Sequence, residues 1–170
     1  MKIRQATEND HKEIYELVKI AFQTAQVTSG SEQDFVEELR ARNSYIPELE
    51  LIAEENDRII AHIMLTKQLV HTRDNDRTGL LIAPLCVEIE QRNIGIGGKL
   101  LSAGLEKAQE FGYSSIFLVG NPEYYQRFGF QEIAELGIEN KTDIPNQYVL
   151  GLELEKKNFF GLGAYIDEME

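Results

Sequence analysis

Apolar positions along the chain change their period twice. After a short apolar start at Ile3, residues Ile14, Leu17, Val18 and Ala21 recur at i, i+3, i+4 and i+7, the spacing of an amphipathic helix. Thr7-x-x-Asp10 precedes them as a capping pattern, since those side chains can satisfy backbone groups at a helix start. Ser31-x-x-Asp34 repeats the pattern before Phe35, Val36 and Leu39, which predicts a second helix ending near Arg42. Residues 23–30 read as the loop between them. The period then shortens: residues 49–54, 59–70 and 78–87 read as strands, separated by Asn56-Asp57 and by Asp74-Asn75-Asp76. Three strands with short turns predict an antiparallel meander. Helical spacing returns at Leu101, Gly104, Leu105, Ala108 and Phe111, with Gly112 placed to end the helix. Residues 116–119 predict a short buried strand, and Pro122 suits the first turn of a short helix that stops before Gly129. Residues 147–154 predict a last strand paired near Ile133. The order β-α-α-β-β-β-α-β-α-β-β implies an α/β domain on a mixed sheet.

Composition narrows the class. A chain of 170 residues, 42% hydrophobic, fits one domain that buries roughly 70% of its unfolded surface. The lone Cys86 rules out an internal disulfide, and no apolar run is long enough to span a bilayer. The start carries no signal-peptide pattern, so a cytoplasmic protein is expected. A net charge of -12 argues against nucleic acid as a partner, because phosphate neutralisation needs clustered Lys and Arg. It suits a cationic acceptor such as an amine, or simply keeps the protein soluble.

The chemistry concentrates where the third meander strand meets the long helix, at Arg92-Asn93-Ile94-Gly95-Ile96-Gly97-Gly98-Lys99. Glycines at a helix start let the backbone approach a ligand, and the first N–H groups of the helix have no partner within it. The macrodipole adds positive potential there, so the turn is an anion site. Arg92 and Lys99 are placed to add charge-assisted contacts. A phosphate-binding G-x-x-x-x-G-K-[ST] loop is excluded twice: Asn93 stands where the first Gly would fall, and Leu100 where Ser or Thr is needed. A dinucleotide G-x-G-x-x-G pattern also fails at Leu100.

Arg92-x-x-Gly95-x-Gly97 resembles the [QR]-x-x-G-x-[GA] motif of the GNAT superfamily of N-acetyltransferases. Tyr124-Tyr125-Gln126-Arg127-Phe128-Gly129-Phe130 looks like that family's second landmark, about 30 residues further on. The run Gly120-Asn121-Pro122-Glu123-Tyr124-Tyr125 is similar to a bacterial subgroup called YhbS-like. The resemblance implies one domain over residues 1–170, with a mixed, mostly antiparallel sheet of about seven strands and about four helices. It implies acetyl-CoA as co-substrate, acetyl transfer to a primary amine in a ternary complex, no metal, and a homodimer as a family-level expectation. Backbone groups of Leu85, Cys86 and Val87 would hold pantetheine. Arg92, Asn93, Ile94, Gly95, Ile96, Gly97, Gly98 and Lys99 would hold pyrophosphate. Asn121 would meet the CoA arm, and Tyr125 would donate to the leaving thiolate, with Tyr124 as the other candidate ring. The 23–30 loop and the last hairpin would shape the acceptor pocket. Glu54, Glu55 and Glu88 are candidate bases that the sequence does not separate. Cys86 reads as a small buried hydrophobe, His62 as a structural histidine, and residues 155–170 as an extension packing on the domain or a second subunit. A CoA sensor without turnover, or use of another acyl-CoA or a protein amine, are the alternatives.

Overall fold

The structure, a computed structural model, describes residues 1–25, 28–156 and 159–169. Its elements are β1 (Lys2–Gln5), α1 (His11–Phe22), α2 (Glu32–Arg40), β2 (Glu50–Glu55), β3 (Arg58–Val70), β4 (Arg77–Val87), α3 (Ile96–Glu110), β5 (Ser115–Val119), α4 (Pro122–Tyr125), β6 (Gln131–Glu132), β7 (Ile138–Asn140), β8 (Val149–Glu153) and β9 (Ala164–Ile166). Seven strands form one sheet in the order β1-β2-β3-β4-β5-β8-β6, while β7 and β9 pair separately. Within the large sheet β4–β5 is parallel, and β1–β2, β2–β3, β5–β8 and β6–β8 are antiparallel. This is the mixed sheet that the element order implied, and the mostly antiparallel seven-stranded arrangement that the family resemblance implied. Backbone contacts divide the chain into two compact units, Met1–Thr66 with Ala83–Lys107, and Lys67–Ile82 with Ala108–Glu170.

In the first unit the helix periodicity becomes a core. Ile14, Leu17, Val18 and Ala21 of α1 and Val36 and Leu39 of α2 are buried with Ile52, Ile59, Met64 and Cys86. Each large aliphatic side chain there contributes on the order of 2 kcal/mol. Thr7 N and Oγ1 each donate to Asp10 Oδ2 at 2.8 Å, which fastens the chain entering α1. Arg4 adds bonds to Asp10 (2.7 and 2.9 Å) and Glu54 (2.6 and 2.9 Å), tying β1 to that entry and to β2. At α2 the predicted cap is replaced. Ser31 makes no side-chain cap bond; the Glu32 carboxylate instead accepts from Ser29 N at 2.5 Å. The helix also stops at Arg40 rather than Arg42, and Phe35 is only partly buried, under the Arg42 guanidinium. Asn56 and Asp57 have φ of 52° and 59°, the two left-handed residues of a tight β2–β3 hairpin.

In the second unit β5 lies between β4, with Leu80 opposite Ile116, and β8, with Val119 opposite Val149. The Phe117 ring sits between two glycines of the neighbouring strands. A Cβ on Gly79 would lie 2.8 Å from Phe117 Cε2, and one on Gly151 3.1 Å from its Cδ1. The end of α3 is a Schellman motif: Gly112, at φ 83°, donates to Gln109 O and Tyr113 N donates to Ala108 O. Phe111, counted by periodicity on the apolar face, is exposed at this helix end. The last strand pairs at Gln131 and Glu132, next to the predicted Ile133. Strands β7 and β9 were not predicted; three residues each show no period. They pair in parallel from Ile138 opposite Ala164 to Asn140 opposite Ile166, which places part of the C-terminal extension. Asn158, at the start of the apolar tail, lies outside the described residues.

Candidate functional site

The turn between β4 and α3 is built by two left-handed residues. Arg92 is extended (φ -76°, ψ 160°), Asn93 has φ 64° and Gly95 has φ 88°. Asn is among the few side chains that tolerate this region, and Gly enters it without penalty. A Cβ on Gly95 would meet no atom within 4 Å, so glycine is required there by the backbone, and the space beside it is open. Lys99 N donates to Gly95 O at 3.1 Å as the helix starts at Ile96. The N–H groups of Ile96, Gly97 and Gly98 precede that bond and have no acceptor inside the helix. Ile94 and Lys99 are exposed, whereas Ile96 and Gly97 are buried. Backbone donors and open space fit a pyrophosphate.

The Arg92 guanidinium is turned to its own unit. Its Nε donates to Val87 O at 3.1 Å, Nη1 to Thr24 Oγ1 at 2.8 Å and Nη2 to Ala21 O at 2.7 Å. It therefore satisfies a carbonyl at the C-terminal end of α1, where a cation also complements the helix dipole, and fixes the glycine turn to the start of the α1–α2 loop. Residues 26–27 of that loop, part of the expected acceptor wall, lie outside the described residues. Of the three pantetheine candidates, Leu85 and Val87 are partly exposed and Cys86 is buried in the α1–α2 core. Burial pushes the Cys86 thiol up to about 12, so it is no nucleophile near neutral pH.

In the second unit Asn121 caps α4, its Oδ1 accepting from Glu123 N at 3.0 Å. Pro122 takes the first helical position, and Gly129, at φ 90°, ends the following turn. Tyr125 meets Phe130 edge-on at 5.8 Å and Tyr124 at 4.9 Å between centroids. Tyr124 lies under Arg127, whose guanidinium carbon is 4.7 Å from the ring centre, and burial pushes its hydroxyl above the usual tyrosine value.

Each candidate base has a cationic partner. Glu54 pairs with Arg4, Glu88 with Arg58, and Glu55 lies 3.4 Å from the Met1 amine. The sequence reading missed Glu50, a carboxylate whose side chain has no exposed surface. Its Oε1 accepts from Arg40 Nη2 (2.5 Å) and from His62 Nε2 (2.9 Å), its Oε2 from Arg40 Nε (3.2 Å) and Tyr45 Oη (2.6 Å). Burial drives this carboxyl up, but the bonds from His62, Arg40 and Tyr45 outweigh it and hold it at about 2. Burial also pushes the His62 imidazole below its usual value, so His62 is neutral, with its proton assigned to Nε2. His62, read from the sequence as a satisfied structural histidine, is buried in this cluster with its Nδ1 left without a hydrogen-bond partner among the described residues. The cluster's sequence signal was slight: single charged or polar residues inside apolar strands. His71, by contrast, stacks on Tyr165 and lies 3.2 Å from both Asp76 and Asp167.

A strand leading through a left-handed turn into a glycine-rich helix start, in a mixed sheet of this order, places the chain among acetyltransferase folds. The chain belongs to the acetyltransferase (GNAT) domain family, whose model matches residues 2–133. It is similar to Uncharacterized N-acetyltransferase YjhQ of Escherichia coli K12, at 29% identity over 120 residues, 70% of this chain and 66% of that one. Uncharacterized N-acetyltransferase YhbS of the same strain is 31% identical over 104 residues, 61% of this chain and 60% of that one. The matched segments thus span less than two thirds of either relative. Among solved structures, E. coli YhbS in complex with CoA superposes with a TM-score of 0.83 at 23% identity, over 99% of this chain and 90% of that chain. A GNAT acetyltransferase from Brucella melitensis in complex with acetyl-CoA gives 0.73 at 26% identity, over 91% and 88%.

Proposed function

We propose that this protein transfers the acetyl group of acetyl-CoA to a primary amine by direct attack. The observation that carries the reading is the exposed turn at Asn93 and Gly95, which leads into a helix start whose first N–H groups have no acceptor within the helix. Solved relatives of the same fold hold CoA or acetyl-CoA. The backbone of residues 93–98 would hold pyrophosphate and Lys99 would add charge, with Arg92 holding the turn in shape. Leu85, Cys86 and Val87 would pair with pantetheine through their backbone, and Asn121 would contribute its exposed amide. The amine lone pair attacks the thioester carbonyl carbon, the C–N bond forms and the C–S bond breaks. One proton leaves the nitrogen for a carboxylate or water, and the sulfur departs as a thiolate that takes its proton from solvent. Tyr125 is the proposed donor to that sulfur. Its usual pKa of about 10 exceeds the ~8.5 of a thiol, so a hydrogen bond to the thiolate is favoured over full transfer. A cytoplasmic setting fits the single reduced cysteine, and a homodimer is proposed from the family alone.

The reading is tested by mixing the protein with acetyl-CoA and a panel of amines and following thiol release. Tight CoA binding with no release above background for any amine would establish the sensor alternative. With an amine that turns over, Tyr125→Phe is expected to lower kcat at nearly unchanged CoA affinity. Unaltered turnover would remove Tyr125 from the mechanism.

A further inference from the structure

Gly120 ends β5 and donates its N–H to Tyr148 O at 3.0 Å. Its φ lies outside the left-handed range, so the backbone alone does not require glycine there. The space does. A Cβ at this position would lie 2.6 Å from Tyr125 Cε2 and 3.1 Å from Tyr125 Cδ2, with Leu118 Cδ1 also at 3.1 Å. One edge of the Tyr125 ring thus rests on the Gly120 Cα. Two other rings close around it, Tyr124 at an interplanar angle of 86° and the buried Phe130 at 69°. Tyr125 is also held at both ends of its backbone, by Tyr125 N to Asn121 O at 3.2 Å and Phe130 N to Tyr125 O at 3.3 Å. Ordinary carbon contacts begin near ~3.5 Å, so any side chain at 120 would drive the ring back by roughly 1 Å. The ring is rigid, and its hydroxyl would move with it. Tyr124 packs against side chains, with Phe128 at 5.4 Å between ring centroids and the Arg127 guanidinium 4.7 Å from its ring centre.

We propose that Gly120 is a positioning residue for Tyr125, fixing the place of its hydroxyl through the ring that rests on the Gly120 backbone. This rests on the reading of Tyr125 as the donor to the CoA sulfur. A displacement near 1 Å is enough to cost on the order of 100-fold in rate where orientation matters.

The test needs no acceptor. CoA is bound to the protein and its thiolate is titrated by ultraviolet absorbance in four forms: unchanged, Gly120→Ala, Tyr125→Phe and the double variant. A lost hydrogen bond to the thiolate raises the titration midpoint by about one pH unit. Gly120→Ala and Tyr125→Phe are each expected to show that rise, with CoA affinity within about twofold. Adding Gly120→Ala to Tyr125→Phe is expected to change nothing further, because the hydroxyl is already gone. An equal additional rise in the double variant would show that Gly120 acts through another group, and would overturn this inference alone. An unmoved midpoint in Tyr125→Phe would overturn the Tyr125 reading itself, and this inference with it. If Gly120→Ala does not fold, Gly120→Ala/Tyr125→Ala is expected to fold, since the obstructing ring is removed. Failure of that variant too would place the clash at Leu118 and reject the proposal.

Discussion

Arg92 shows how a motif residue can be conscripted by its surroundings. Its three hydrogen bonds reach the carbonyls of Val87 and Ala21 and the Thr24 hydroxyl, so the guanidinium serves as a strut within the first unit. Lysine keeps the charge but cannot span three acceptors from one planar fork. Arg92→Lys is therefore expected to lower stability by about 1–2 kcal/mol in denaturant unfolding. An unchanged midpoint would show that the strut carries little. Glu50 makes the same point from the interior. Its four bonds come from residues 5 to 12 positions away in the chain, so the cluster closes only after α2, β2 and β3 have assembled.

Among elements, the β4–α3 turn is where local rules and chemistry coincide. Gly95 and Gly112 have nearly the same left-handed φ, 88° and 83°, and neither has an atom in the way of a Cβ. Alanine at either is expected to cost about 1–2 kcal/mol of stability. Only Gly95→Ala is expected to weaken CoA binding as well, measured by calorimetry, because only that residue shapes the helix start. Equal CoA affinities for the two variants would separate the turn from the cofactor. This turn was legible in the sequence because its requirements are short-ranged: left-handed backbone, missing Cβ, helix start. The Ala83–Pro84 bond, which is cis, and the β7–β9 pair were not. A three-residue strand buries too little to leave a pattern, and its partner lies some 25 residues away.

At the scale of the whole molecule, charge and protonation dominate. The Glu50 carboxyl is held at about 2 when folded against a usual 4.5. Its stabilisation is complete above pH ~4.5 and is lost as pH falls toward 2. His62 adds to the same side: burial keeps it neutral in the fold, while the unfolded chain takes up a proton below its usual 6.5. Thermal stability is thus expected to decline from pH ~6.5 downward, and more steeply below ~4.5. His62→Gln, whose amide can still donate to Glu50, is expected to flatten the first part of that decline. A slope unchanged by that substitution would point to another group. The net charge of -12 repels polyanionic CoA at long range. Its association rate is accordingly expected to rise with ionic strength, by stopped flow, as the field is screened. A rate that falls with salt would mean that local cations such as Lys99 govern the approach.

What the sequence by itself determined was what depends on neighbours along the chain. The 3.6- and 2-residue periods located α1, α2, α3 and the meander, and the glycine turn with the Tyr125–Phe130 landmark marked the fold. Those signals survive because they follow from backbone geometry within a few residues. The tertiary structure alone decided where side chains spend their hydrogen bonds. It turned Arg92 toward α1, enclosed Glu50 with His62, drew the tail into a strand pair, and set the Tyr125 ring on Gly120. Each of these joins groups brought together by folding, and their distances are fixed only when the chain has closed around them.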